Sequence, residues 1–381
     1  MKTHTANRLK SVEEYYFSQK LREVAQRIAA GQPIINMGIG SPDKAPDPKV
    51  LQALTESLSH PKAHQYQSYQ GLPELREAMA NFYDQQYGVK IDPKDSVLPL
   101  MGSKEGIMHI SMAFLNPGDQ VLIPDPGYPT YTSVTKLLEA QPVYYKLEET
   151  NNWQPDRQFL EQLDTSNVKI MWLNYPHMPT GARADKTLFP WLVAWAKSRN
   201  ILLVNDNPYS FVLNNTPTSL LATPGADQVA LELNSLSKTF NMAGWRIGML
   251  LGNSDAIQAV LKVKSNMDSG MFYGLQKGAI TALGASATWY QSMNATYAQR
   301  KKRMLELIDR LGLTYDRHQV GMFVWAKLPD HTPAKNYVDQ LLEDKHLFIA
   351  PGTIFGAQGE GYVRFSLCVE ENTIEKASAR L

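Results

Sequence analysis

The stretch from Ser235 to Gly248, which reads Ser-Leu-Ser-Lys-Thr-Phe-Asn-Met-Ala-Gly-Trp-Arg-Ile-Gly, places one lysine in a loop of small and hydroxylated residues. An apolar run precedes this loop and another follows it, and both runs predict buried strands. Lys238 therefore lies where strands end, with hydroxyl groups and Arg246 nearby in sequence that suit an oxyanion. Such a setting indicates an amine that attacks a carbonyl group. The alternative is an ordinary solvated lysine, and other parts of the chain decide between the two.

The composition is that of a globular protein without a strong charge bias. The 381 residues are 43% hydrophobic, and 38 Lys and Arg residues oppose 37 Asp and Glu residues for a formal net charge of +1. This balance favours neither a nucleic-acid nor a membrane partner. Cys368 is the only cysteine, which excludes a disulfide framework within the chain and a cysteine-cluster metal site, and we expect no metal. The polar N-terminal segment lacks a signal-peptide core and no apolar run reaches a membrane span, so we expect a soluble, cytoplasmic protein.

Helical and strand patterns alternate from about residue 47 onwards, which favours an α/β domain with a mostly parallel sheet covered on both faces. The predicted helices are 47–58, 72–87, 104–115, 131–138 and 188–198, and the predicted strands are 97–101, 120–124, 142–146, 168–173 and 201–205. After about residue 282 a long charged helix is followed by strands near 322–328 and 362–367, which predicts a smaller α+β domain. We therefore predict an N-terminal segment of residues 1–46, a large domain of residues 47–281 and a small domain of residues 282–381.

Two charged segments lie on either side of the large domain in sequence. The segment from Ser11 to Ala30 predicts a helix, because Glu14 follows Ser11 at the spacing of a capping box and Gly31 supplies a stop. A short strand at 34–37 comes next, and we expect it to join the small domain. The basic run at 300–303 is interpreted as the solvated face of a helix rather than as an anion site.

The segment from Met101 to Gly106 reads Met-Gly-Ser-Lys-Glu-Gly, and it follows a predicted strand and opens a helix. Backbone N–H groups and the positive end of the helix dipole then meet at one place, which suits a phosphate group. Gly102 permits a sharp turn, Ser103 adds a hydroxyl group, and Lys104 follows directly. An ordinary strand-to-helix cap explains the same residues equally well.

Two further strand ends carry polar groups. The near-continuous apolar run at 201–205 ends in Asp206, and Tyr209 follows three residues later. A carboxylate at the end of a buried strand is costly unless it meets a cation or hydrogen-bond donors. Tyr128 lies in the turn after another predicted strand. The alternatives are an aspartate that begins a turn before a proline and a tyrosine that packs in the core.

An arginine inside an apolar strand is the next candidate. The segment Tyr-Val-Arg-Phe-Ser-Leu at 362–367 predicts a buried Arg364. A buried guanidinium requires an anionic partner, and it can form two parallel hydrogen bonds with a carboxylate. A structural ion pair is the alternative.

Near the N-terminus, Gly38-Ile39-Gly40 follows a strand without the third glycine of a dinucleotide-binding turn. We expect Gly38 and Ile39 to bring the backbone close to a small ligand.

The motifs Ser-x-Ser-Lys with a downstream Gly-x-Arg-x-Gly, Asp-x-x-Tyr, Gly-Ser-Lys-Glu-Gly and Arg-Phe-Ser-Leu occur together in this chain. Their combination resembles the fold-type I pyridoxal-phosphate enzymes, specifically the class I and II aminotransferases such as the aspartate, alanine and LL-diaminopimelate aminotransferases. The resemblance extends from about residue 15 to the end. It implies that the sheet of the large domain has seven strands and lies between helices.

The resemblance implies a role for each candidate residue. Lys238 would hold pyridoxal 5'-phosphate as a Schiff base, Asp206 would pair with the ring nitrogen, and Tyr209 would donate to the ring hydroxyl. Tyr128 would cover the ring, and Arg364 would hold the substrate α-carboxylate. The further cofactor-binding residues are Gly102, Ser103, Lys104, Asn174, Ser235, Ser237 and Arg246, and the further substrate-binding residues are Gly38 and Ile39.

The loop at 174–181, which reads Asn-Tyr-Pro-His-Met-Pro-Thr-Gly, departs from the family pattern. Met178 stands where an asparagine usually donates to the ring hydroxyl, and a thioether has no hydrogen to donate. We therefore expect Tyr209 to be the main donor at that position unless Asn174 or His177 reaches in. The loss of a donor predicts a higher pKa for the Schiff base.

The resemblance also implies a homodimer with shared active sites. Tyr66 is the candidate that would contact the cofactor phosphate of the neighbouring subunit, with Tyr69 as the alternative. The pair at 265–266 resembles a second stretch that crosses between subunits.

The implied reaction is transamination between a small-molecule L-amino acid and a 2-oxo acid. Leu261 occupies the position of the arginine that binds the second carboxylate in dicarboxylate-specific relatives, although Lys262 and Lys264 lie nearby. Aspartate specificity by that route is therefore not expected. Two other functions share much of the pattern, namely a carbon–sulfur β-lyase and a cofactor-binding regulatory domain without turnover.

Overall fold

A computed structural model describes residues 4–12 and 16–381 of the chain. Its strands, in chain order, are β1 Ile35–Asn36, β2 Val97–Leu100, β3 Gln120–Asp125, β4 Gln141–Lys146, β5 Val168–Leu173, β6 Leu202–Asp206, β7 Ala230–Ser235, β8 Gly248–Gly252, β9 Thr314–Tyr315, β10 Phe323–Lys327, β11 Leu347–Phe348, β12 Ala350–Pro351 and β13 Tyr362–Ser366.

The helices alternate with these strands through most of the chain. In chain order they are α1 Tyr16–Ala29, α2 Pro48–Ser57, α3 Pro73–Tyr87, α4 Ser103–Phe114, α5 Thr130–Leu137, α6 Arg157–Gln162, α7 Leu188–Arg199, α8 Ala226–Val229, α9 Leu236–Thr239, α10 Ser254–Lys264, α11 Tyr273–Leu283, α12 Ala287–Arg310, α13 Ala334–Lys345 and α14 Glu371–Ser378.

A seven-stranded sheet in the order β2-β8-β7-β6-β5-β3-β4 forms the centre of the large domain. The strands from β7 to β4 run parallel, and β8 is antiparallel to both of its neighbours. Strand β7 is buried along its whole length because helices cover both faces of the sheet. The predicted mostly parallel sheet between helices is confirmed, and the carboxyl ends of its parallel strands lie along one edge.

The small domain contains a four-stranded antiparallel sheet in the order β12-β13-β10-β9. Strand β1 pairs in parallel with β11, with Ile35 opposite Leu347, so the strand near the N-terminus joins this domain as expected. The predicted α+β lobe is therefore present, while its exact sequence limits at residues 46 and 282 stay predictions.

Two details differ from the sequence-based expectations. Helix α1 runs from Tyr16 to Ala29, and Glu14 of the expected capping box lies outside the described residues. The interpretation of 300–303 as a solvated face is wrong for Arg300, whose side chain is completely buried. Its Nη1 and Nη2 donate to Asp43 Oδ1 and Oδ2 at 2.7 Å each, because a buried guanidinium requires an anionic partner.

Among the described helices, none combines the length and the apolar character that crossing a membrane would require.

Candidate active site

A cavity of about 330 Å³ lies where the carboxyl ends of the large sheet face the small domain. Both domains line it, which is the usual place for a ligand in an open α/β fold. Its lining residues are Phe17, Gly40, Ser103, Lys104, Ile107, Tyr128, Pro129, Tyr131, Asn174, Met178, Asp206, Pro208, Tyr209, Ser235, Ser237, Lys238, Ala243, Arg246, Phe323, Ile354, Phe355 and Arg364.

Lys238 projects into this cavity from the short helix α9. The helix begins after β7 because Ser235 Oγ accepts a hydrogen bond from Ser237 N at 3.0 Å and caps the first turn. The Lys238 Nζ donates to Gly40 O at 2.6 Å. Burial lowers the pKa of Lys238, and the nearby guanidinium groups of Arg364 and Arg246 lower it further. The site therefore makes this amine easier to deprotonate than a solvated lysine.

Asp206 faces the same cavity from the end of β6. Its Oδ2 accepts from Tyr131 Oη at 2.9 Å, while Oδ1 is buried and has no hydrogen-bond partner among residues 4–12 and 16–381. Burial raises the pKa of Asp206 to about 7, against the opposing effects of the Tyr131 hydrogen bond and the Lys238 charge. A buried carboxylate oxygen without a partner fits a ligand that brings its own cationic N–H group, such as a protonated pyridine ring.

The residues predicted to bind phosphate meet at one end of the cavity. Ser103 begins α4, and its Oγ donates to Asn234 O at 3.2 Å, while the hydroxyl groups of Ser235 and Ser237 are 2.8 Å apart. Gly102 has φ of 94°, and a Cβ atom there would collide with the Arg246 guanidinium. Only glycine lets this arginine lie across the start of the helix. Helix N–H groups, hydroxyl groups and a permanent cation form a donor set suited to a phosphate dianion.

Arg364 enters the cavity from β13 in the small domain. Its Nη2 donates to Gly38 O at 2.8 Å, and its Nη1 lies 3.4 Å from Met178 Sδ. The guanidinium carbon is 3.9 Å from the ring centre of Phe323 and 4.7 Å from that of Phe355. Aromatic rings thus pack on the planar group, which holds the guanidinium in place for an anion that binds along its edge.

The tyrosines predicted to contact the cofactor ring also line the cavity. Tyr209 is 9% exposed, burial raises its pKa, and its ring packs edge-on against Phe323 with the ring centres 5.8 Å apart. Tyr128 packs edge-on against Tyr131 at 5.6 Å. These two rings come from different loops after β3 and β6, which brings residues far apart in sequence to one ligand.

The alternative donors in the loop at 174–181 are engaged in hydrogen bonds of their own. Asn174 Nδ2 donates to Asp206 O at 2.5 Å, and Asn174 Oδ1 accepts from Met178 N at 2.9 Å. The Nδ1 of His177 lies 2.8 Å from Thr180 Oγ1, and burial lowers the pKa of His177 to about 3. Asn174 and Tyr209 both line the cavity, and His177 is not among its described lining residues.

Some predicted site residues lie outside the cavity of this chain. Tyr66 is 90% exposed and Ile39 is 42% exposed, and Gly38 takes part through the carbonyl that Arg364 contacts. Lys264 is buried rather than solvated, and its Nζ donates to Asp268 Oδ1 at 3.0 Å and to Tyr69 O at 2.9 Å.

A group of metal-ligating side chains was not expected from the sequence. Glu105, His109 and Asp268 place one ligand atom each within 4.8 Å of one another. The Lys264 ammonium already supplies a cation 2.9 Å from Asp268 Oδ2, and the His109 Nε2 lies 3.2 Å from Glu105 Oε1. The Lys264–Asp268 ion pair and the Glu105–His109 contact form a polar cluster between α4 and the end of α10.

The sequence analysis missed several residues that complete the cavity. Tyr131, the donor to Asp206, begins the predicted helix 131–138, and no pattern in the sequence marked it as a site residue. The apolar residues Phe17, Phe323, Ile354 and Phe355 come from helix α1, strand β10 and the loop before β13. Their residue types are those of any core position, so only the folded arrangement identifies them.

Comparisons with known proteins agree with this arrangement. The family model for aminotransferase class I and II matches residues 32–381. LL-diaminopimelate aminotransferases from Dehalococcoides mccartyi and Aquifex aeolicus are each 38% identical, over 379 and 378 residues that cover 99% of this chain and 97% and 98% of those proteins. The substrate-bound BacF structure from Bacillus subtilis superposes with a TM-score of 0.95 at 34% identity, covering 100% of this chain and 97% of that one.

The family match covers most of the chain, and the similar enzymes and structures extend over nearly all of it. The buried lysine, the acid on the opposite side and the anion-binding end form the kind of site that a transaminating enzyme requires. The chain therefore belongs to the class I and II aminotransferases, and it is an enzyme of that family.

Proposed function

We propose that the chain binds pyridoxal 5'-phosphate through Lys238 and transfers an amino group between an L-amino acid and a 2-oxo acid. The observation that carries this proposal is the placement of two groups in one cavity. They are the Lys238 amine and the Asp206 Oδ1, which has no hydrogen-bond partner in the described part of the chain. The donor set of Ser103, Ser235, Ser237 and Arg246 at one end supports a phosphate group there. When bound, the cofactor supplies a ring that withdraws electrons from the substrate α-carbon.

The residues of the chain have separate tasks in this reaction. Arg364 binds the substrate α-carboxylate and thereby orients the α-hydrogen toward Lys238. The Lys238 amine, whose pKa is lowered by burial and by nearby guanidinium groups, would take that proton and hold it on Nζ for transfer. Asp206 would pair with the ring nitrogen, and Tyr209 would donate to the ring hydroxyl. The amino acid leaves as a 2-oxo acid, and a second 2-oxo acid accepts the amino group in the reverse sequence.

The lysine assignment predicts a spectroscopic outcome. The purified protein with pyridoxal 5'-phosphate should show the visible absorbance of a Schiff base, and Lys238→Ala should abolish both this band and turnover. Lys262→Ala, at an exposed position on α10, is the matched control and should leave both unchanged. A Schiff-base band that persists in Lys238→Ala would overturn the assignment.

A screen of amino donors separates the proposal from its two rivals. Pyruvate, 2-oxoglutarate and oxaloacetate serve as acceptors while the cofactor spectrum is followed. Release of pyruvate from cystathionine without any acceptor would instead support a carbon–sulfur β-lyase. A cofactor spectrum that no amino acid changes would support a regulatory domain without turnover.

We further propose a homodimer in which Tyr66 contacts the cofactor phosphate of the neighbouring subunit. Support comes from exposed large apolar side chains in the same or neighbouring segments, since Tyr69, Met267 and Phe272 are 45%, 58% and 40% exposed. Burying such residues favours association. Sedimentation should give a dimer, and Tyr66→Phe should weaken cofactor binding without dissociating it. A monomer with full cofactor affinity would overturn this arrangement.

A further inference from the structure

We infer that the amino acid handled by this site carries a bulky apolar side chain, either aromatic or branched aliphatic. A second carboxylate or a second amino-carboxylate, as in LL-diaminopimelate, does not fit it. The inference rests on the proposed function, because it uses Arg364 as the α-carboxylate anchor.

The cavity has two walls of different character. The cofactor wall is formed by Ser103, Asp206, Ser235, Ser237, Lys238 and Arg246. The substrate wall is formed by Phe17, Phe323, Ile354, Phe355 and Arg364. Apart from its one guanidinium, the substrate wall is entirely apolar, so a side chain that extends from the anchored α-carbon meets rings and an aliphatic group.

Within one subunit, the described lining residues contain no spare charge for a second polar group on the substrate. Their cations are Lys104, Lys238, Arg246 and Arg364, and their one acid is Asp206. Lys104 is exposed and follows Ser103 at the phosphate end. The proposed reaction already assigns a role to each of the remaining charged residues, namely Lys238, Arg246, Arg364 and Asp206. A carboxylate or ammonium group buried against the substrate wall would lose its hydration without compensation.

Charged residues just behind the lining are engaged elsewhere. Asp43, close in sequence to Gly40, is held by both Nη atoms of Arg300. Asp125 Oδ1 accepts from Gln358 N at 3.0 Å. Asp43 is therefore already paired with a cation, and Asp125 is not among the described lining residues of the cavity.

A backbone hydrogen bond and a close glycine contact fix the shape of the substrate wall. Gly127 N donates to Phe355 O at 2.7 Å, so the loop that carries Ile354 and Phe355 is tied to the loop that carries Tyr128. Gly356 has φ of 133°, and a Cβ atom there would collide with the Asp125 carboxylate. The apolar surface is thus held in one position, which favours discrimination by shape.

Binding of non-reacting carboxylates to the cofactor-loaded enzyme tests this inference directly. Calorimetry should give at least about 10-fold tighter binding for 3-phenylpropanoate and 4-methylpentanoate than for glutarate and heptanedioate. In the half-reaction, kcat/KM for L-phenylalanine or L-leucine should exceed that for L-aspartate and LL-diaminopimelate by about 100-fold. Equal or tighter binding of the dicarboxylates would overturn the inference.

A pair of variants at Ile354 supplies the matched control. Ile354→Arg adds a cation to the substrate wall and should move the preference toward glutarate by about 10-fold or more, while Ile354→Leu should keep the apolar preference. An unchanged preference in Ile354→Arg would also contradict the inference. Failure of the proposed function would look different, because the wild-type enzyme would then show no Schiff-base absorbance at all.

Discussion

The cofactor wall and the substrate wall of one cavity are built on different physical principles. The cofactor wall is polar and projects from strand ends and a helix start of the large domain, where backbone geometry fixes each group. Most of the substrate wall comes from the small domain, and it surrounds one guanidinium with rings and an aliphatic side chain. Charge and hydrogen-bonding capacity dictate residue type on the first wall, whereas size and shape dictate it on the second. On the proposed function, the first wall would determine the chemistry and the second would determine the substrate.

Apart from the loss of Lys238 itself, the largest expected effect comes from removing the one acid of the cofactor wall. Asp206→Asn keeps the size of the side chain but loses the charge that holds a proton on the ring nitrogen. We expect the half-reaction rate to fall by roughly 10²–10³-fold for every amino acid tested, with the ratio between substrates unchanged. Stopped-flow absorbance measures both quantities.

The variants Asp206→Asn and Ile354→Leu together test whether the two walls act separately. Ile354→Leu should change the ratio between apolar substrates by a few-fold and leave the cofactor spectrum as it is. A changed substrate ratio in Asp206→Asn, or a changed spectrum in Ile354→Leu, would show that the walls are coupled.

The sequence singled out most residues of the cofactor wall for the same reason that this wall is rigid, and their roles stay predictions. Ser103, Asp206 and Lys238 each follow or end a strand whose apolar run is visible in the sequence, so their convergence follows from a parallel sheet. The substrate wall was predicted only at Arg364, because an arginine within an apolar strand stands out. Phe355 and Ile354 did not, because an apolar residue in a loop has the same pattern whether it packs in the core or lines a site.

Charged residues behind the site show a second limit of sequence reasoning. The run at 300–303 has the composition of a solvated helix face, yet Arg300 is buried because Asp43, 257 positions away, lies opposite it. Pairing between residues so distant in sequence depends on how the N-terminal segment returns to α12. Local patterns contain no information about that contact.

The buried carboxyl group of Asp206 predicts that the free energy of unfolding of the cofactor-free protein depends on pH. Burial raises the pKa of Asp206 from 3.8 to about 7. Between these values the folded protein holds a proton that the unfolded chain has released. Stability should therefore fall as the pH rises from about 4 to about 7, by up to about 1.4 kcal/mol per pH unit, and this contribution should level off above pH 7.

Denaturant unfolding of cofactor-free wild type and Asp206→Asn between about pH 5 and pH 8 isolates this contribution. The variant should gain stability relative to wild type as the pH rises toward 7. Bound cofactor should remove most of the difference, because a protonated ring nitrogen would then neutralise the carboxylate. A difference that is independent of pH would contradict the assignment of Asp206 as a buried acid awaiting a cation.

The smallest expected effect lies at Met178, which stands between the two walls and touches Arg364 through its sulfur. The thioether supplies no hydrogen to the ring hydroxyl. Asn174 Nδ2 donates to Asp206 O and His177 Nδ1 lies against Thr180 Oγ1, so we expect Tyr209 to be the main donor there. With fewer donors, the negative charge on the ring oxygen holds the Schiff-base proton more firmly. Met178→Asn should therefore lower the pKa of the Schiff base by about 0.5 to 1 unit, the equivalent of one ordinary hydrogen bond.

Absorbance titration of wild type, Met178→Asn and Met178→Leu measures this shift directly. Leucine preserves the bulk of methionine without adding a donor, so Met178→Leu should titrate with the wild type. Equal shifts in both variants would mean that packing against Arg364, rather than the missing donor, sets the pKa. The two effects of Met178→Asn can be measured separately. The donor that asparagine adds should shift the pKa of the Schiff base. The loss of the sulfur contact with Arg364 should instead change the KM for the carboxylate substrate.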